Sequence, residues 1–76
     1  MVKSLLECKI GEKMRICRID GPESVFREFF LLGLREGSLL EVLQIKPMFV
    51  LKTAYTEIAV EQRLAALLWG EVCRKN

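Results

Sequence analysis

Three thiols are the residues of this chain best suited to chemistry: Cys8, Cys17 and Cys73. Histidine is absent, so no side chain has an ordinary pKa near neutrality to serve as a base. No serine or cysteine stands at a recognisable spacing from a base that would activate it. Structural metal sites want close Cys or His pairs, but Cys8 and Cys17 are nine positions apart and Cys73 lies near the other end. We read the three as reduced, small apolar fillers and assign no metal ligand and no cofactor. Gly33-x-x-x-Gly37 invites comparison with a phosphate loop but lacks its Lys-Ser/Thr ending, so both glycines are read as structural turn residues. The carboxylates sit beside basic residues or in polar stretches. These observations exclude the familiar catalytic constellations, and the chain is read as a non-enzyme.

The elements that must position these residues are few. Seventy-six residues make one small domain with a thin core, read here as 1–76. The hydrophobic fraction of 51% is above the disordered range. Twelve Lys and Arg against ten Asp and Glu give a net charge of +2. The signs are interleaved, as in Glu12-Lys13, Arg18–Asp20 and Arg35-Glu36, which is not the clustered footprint of a nucleic-acid binder. No apolar run approaches the about 20 residues of a membrane span. Lys3 and Glu7 interrupt any signal-peptide core, so a cytoplasmic protein is expected.

Lys13 to Asp20 alternates, with Met14 and Ile16 on one face, and a bulge would return Ile19 to that face. Pro22 to Leu32 reads as a helix opened by Asp20, Gly21 and Glu23, and closed by Gly33. Val25, Phe26, Phe29, Phe30 and Leu32 form a continuous apolar arc on it. Strands are expected at Ser38 to Ile45, Met48 to Lys52 and Thr56 to Val60, with a turn at Thr53-Ala54-Tyr55. A helix over Glu61 to Leu68 and a last strand over Trp69 to Cys73 complete the order β-α-β-β-β-α-β. The fold class is mainly β: a small SH3-like barrel of about five strands, with one amphipathic helix and a short C-terminal helix.

From about Leu5 to Val72 the sequence resembles the FeoA family of ferrous-iron transport systems. The residues that carry the resemblance are Leu5, Gly11, Arg15-Ile16, Arg18-Ile19-Asp20-Gly21, Leu32-Gly33-Leu34, Gly37, Pro47, Ile58-Ala59-Val60 and an alanine at 65 or 66. The sequence departs from the family pattern at Glu28, Leu31, Glu36, the shortened loop after Pro47, and Gly70 or its neighbour. The resemblance implies an SH3-like barrel and a small cytoplasmic accessory protein. Its implied partner is a FeoB-type ferrous-iron permease, met at its GTP-binding region or cytoplasmic face. The alternative it leaves open is a free-standing barrel of the kind found at the C-terminus of iron-dependent repressors, acting as a regulatory or nucleic-acid-associated module.

Two leucines have no obvious place in the core. Leu31 falls between Arg27 and Glu28 on the polar side of the helix, and Leu39 shares a strand face with Glu41. With Phe30 they are expected to form a partner interface, or a weak contact between copies of the chain.

Overall fold

Strict alternation makes the segment after the lead-in a strand. In the computed structural model, which describes residues 1–73, β2 spans Lys13–Ile19 with Met14 and Ile16 buried and Lys13 and Arg15 exposed. Cys17 and Arg18 are both exposed, which breaks the phase. The register against β6 (Leu68–Cys73) shifts between Ile16 and Arg18, so a bulge absorbs one residue. Ile19 returns to the core at 4% exposure, as its sequence position predicts.

The helix α1 covers Glu23–Leu31. Its N-cap is Pro22, with no side-chain hydrogen bond, so the expected capping by Asp20 or Gly21 does not form. Arg18 competes for Asp20: its Nε donates to Oδ1 of that carboxylate at 2.9 Å. At the other end Gly33 takes φ +86°, and the Leu34 N–H donates to the Phe29 carbonyl at 2.9 Å. That is the left-handed stop the sequence predicts. The apolar arc proves narrower than expected. Phe29 is fully buried and Val25 and Leu32 partly so, whereas Phe26 and Phe30 stand out at 40% and 61% exposure. A helix of nine residues lays only its i, i+4, i+7 stripe onto the core.

The remaining elements are β3 (Leu39–Gln44), β4 (Phe49–Lys52), β5 (Glu57–Val60) and the one-turn helix α2 (Gln62–Ala65). The antiparallel sheet has six strands in the order β1-β6-β2-β3-β4-β5, one more than the sequence reading gave. The extra strand is β1, Val2–Ser4, paired with β6. The second correction is α2, which is half the expected length. Leu68 belongs to β6, and β6 is an interior strand between β1 and β2 rather than a marginal tail.

No hydrogen-bonded ladder joins the edges β1 and β5, so the sheet is barrel-like without being closed. One core cluster nevertheless takes residues from β2, β3, β4, β5 and β6, including Met14, Val42, Leu51, Val60 and Leu68. Only a sheet curled round its own inner face brings such distant strands into one core.

Candidate partner-binding surface

Two turns at one end of the sheet are held by backbone and side-chain hydrogen bonds. The first joins α1 to β3. The Arg35 N–H donates to Ser38 Oγ at 3.0 Å, and the Ser38 N–H to the Arg35 carbonyl at 2.9 Å. The bulged strand β2 grips this turn from below. The Gly37 N–H donates to the Ile16 carbonyl at 2.8 Å, the Ile16 N–H to the Ser38 carbonyl at 2.9 Å, and Arg15 Nη1 to the Gly37 carbonyl at 2.9 Å. Gly37 has φ +92°, a conformation most side chains disfavour.

The second turn joins β4 to β5 at the predicted place. Thr53 Oγ1 accepts the Tyr55 and Thr56 N–H groups, both at 3.1 Å, and donates to the Thr56 carbonyl at 3.0 Å. With Thr53 almost buried and serving the turn, Tyr55 is thrown outward at 87% exposure.

Between the turns lies a groove of about 550 Å³. Phe30, Leu39 and Tyr55 supply its large apolar side chains, and Arg35 and Glu36 lie at its polar border. Leu39 is 41% exposed, so all three present apolar surface to solvent on a fixed frame. An arrangement of this kind can accept a protruding apolar side chain from another protein.

Phe30 and Leu39 line the same groove, whereas the sequence reading joined Leu31 with Leu39 and set Phe30 at the edge. Leu31 is 79% exposed but is not among the residues lining the groove. Tyr55 is the large apolar lining residue that sequence reasoning missed. Its signal was available: an aromatic at the tip of a three-residue turn has no core within reach.

Nothing in the groove pairs a nucleophile with a base. Ser38 Oγ is occupied by the Arg35 N–H. Among the described residues, no three His, Cys, Asp or Glu side chains gather closely enough to hold a metal ion. The filler reading of the thiols holds for Cys8 alone, which is 3% exposed and whose pKa burial pushes up. Cys17 and Cys73 are exposed, because the bulge turns Cys17 outward and Cys73 ends β6 on the solvent face. Glu12 is structural. Its Oε1 accepts the Lys9 N–H at 2.8 Å, which holds the carboxyl below the usual range, and it pairs with Lys3 Nζ at 3.6 Å.

No helix among the described residues is long and apolar enough to cross a membrane. The search of curated proteins found no match. Solved structures show the fold clearly. A crystallised iron uptake regulatory protein, FeoA, superposes with a TM-score of 0.90 at 22% identity, covering 96% of this chain and 99% of that one. A FeoA-like protein from Clostridium acetobutylicum gives 0.86 at 18% identity, covering 99% and 91%. A manganese-dependent transcriptional repressor gives 0.88 at 19% identity, but this chain, 95% covered, spans only 37% of it. The family model described as the FeoA domain matches residues 3–72, nearly all of the sequence, and the chain therefore belongs to the FeoA domain family.

Proposed function

We propose that this chain is a cytoplasmic accessory of ferrous-iron transport that works by binding protein, without catalysis. Its partner on this reading is the GTP-binding region or cytoplasmic face of a FeoB-type permease, and iron is the permease's cargo rather than a ligand of this chain. Family membership supports the transport role. The observation that carries the binding role is the rigid groove with three exposed apolar side chains, Phe30, Leu39 and Tyr55. Full burial of an exposed side chain contributes about 1.5–3 kcal/mol, and Leu39, already more than half covered, contributes less, before the entropy of association is subtracted. Gly33 and Gly37 serve turns with φ +86° and +92°, so they give no ground for nucleotide hydrolysis by this chain.

The likeness to the repressor favours a second reading, a regulatory module of the repressor C-terminal type. Interleaved charge argues against a direct nucleic-acid role for such a module.

Cells that depend on a Feo permease test the proposal. Deleting the gene is expected to lower ferrous-iron uptake, and wild-type protein to restore it. Leu39→Glu, produced at the same level, is expected to fail. Unchanged uptake in the deletion strain, or full rescue by Leu39→Glu, would overturn the reading.

A further inference from the structure

A second hollow, of about 410 Å³, adjoins the groove and shares Phe30, Arg35 and Glu36 with it. Ile19 and Leu34 form its floor, both nearly buried, and Phe26 and Phe30 form its apolar walls at 40% and 61% exposure. Its border carries Glu23, Arg27, Arg35 and Glu36, two charges of each sign. Glu23 and Arg27 pair at 3.6 Å, but their side chains are 87% and 69% exposed, so the pair is weak and free to exchange partners.

We propose that this face is a self-complementary contact between two copies of the chain. A two-fold contact must set a surface against itself. This face meets that demand because an apolar knob, Phe30, and an apolar hollow lie side by side on it. The balanced border meets it too: two copies can set Arg27 and Arg35 of one against Glu23 and Glu36 of the other. A strongly acidic or basic partner would leave half of that border facing like charge. Three or four apolar side chains at the contact make the association weak and concentration-dependent. The inference does not rest on the permease reading, although its hollow shares Phe30, Arg35 and Glu36 with the groove.

Sedimentation of the purified chain from about 10 μM to about 1 mM tests it. The weight-average mass is expected to rise from the monomer's 8.8 kDa toward twice that value. Phe26→Glu is expected to weaken association at least tenfold. Leu31→Glu, exposed on the same helix but outside the hollow, is expected to associate like wild type. A wild-type mass fixed at 8.8 kDa throughout would overturn the proposal. So would a Phe26→Glu protein that keeps a native circular-dichroism spectrum and associates as well as wild type. No permease is present in this experiment, so its failure is separate from failure of the transport reading.

Discussion

Phe29→Ala is expected to lower the unfolding free energy by about 3–5 kcal/mol. Phe29 is the one residue of α1 with no exposed surface, and it carries the helix's contact with the core. Its carbonyl also accepts the Leu34 N–H that closes the helix, a backbone bond the substitution leaves in place, so the loss is one of packing. A domain this small sits near the low end of the usual 5–15 kcal/mol of stability. The substitution therefore removes a large part of the total. Trp69, the sole tryptophan, lies on β6 with the Arg18 guanidinium 4.8 Å above its ring and reports unfolding by fluorescence. Urea titrations should show a much lower midpoint for Phe29→Ala. Phe30→Ala, removing a ring that is 61% exposed, should move stability by about 0.5 kcal/mol or less. Equal midpoints for wild type and Phe29→Ala would contradict the packing described.

Gly70→Ala is expected to be about as damaging, at about 3 kcal/mol or more, the upper end for overpacking. A Cβ at position 70 would lie 2.2 Å from the Arg15 carbonyl oxygen and 2.7 Å from Met14 Cγ. The first obstacle is backbone, and it cannot rotate away. It belongs to β2, paired with β6 in the register that sets Ile16 opposite Gly70. Relief requires the two interior strands to separate, which opens the core over Met14. The same urea titration measures the effect, and a stability within about 1 kcal/mol of wild type would show that β2 and β6 do not approach as closely as described.

Gly70 also shows where the sequence is silent. Nothing in its neighbours signals a close approach of two strands, which is a tertiary fact. The parts that were legible rest on local periodicity. Met14, Ile16 and Ile19 announce β2 and its bulge. Val25, Phe29 and Leu32 announce the buried stripe of α1, and Gly33 its end. Thr53 to Tyr55 announces a turn. The parts that were not legible depend on length or on distant partners. At three residues, β1 is too short to alternate visibly. The leucine spacing of Leu64, Leu67 and Leu68 reads equally as one helical stripe or as a helix yielding to a strand, and pairing of Leu68 with Ile19 of β2 decides for the strand. Periodicity placed Phe26 and Phe30 on the apolar arc. Their exposure follows from how little of the sheet a helix of nine residues can cover. The candidate surface was half visible for the same reason: Phe30 and Leu39 looked misplaced in the sequence, whereas Tyr55 joins them only because two distant turns fold to one end.

The most direct measurement is a calorimetric titration of this chain into the purified cytoplasmic GTP-binding region of a FeoB-type permease from the same cell. The account predicts saturable binding by the wild type. It predicts affinity weakened about tenfold or more, about 1.4 kcal/mol, by Leu39→Glu or Tyr55→Ala. Absence of binding by the wild type, or equal affinity for the wild type and both groove variants, would contradict it.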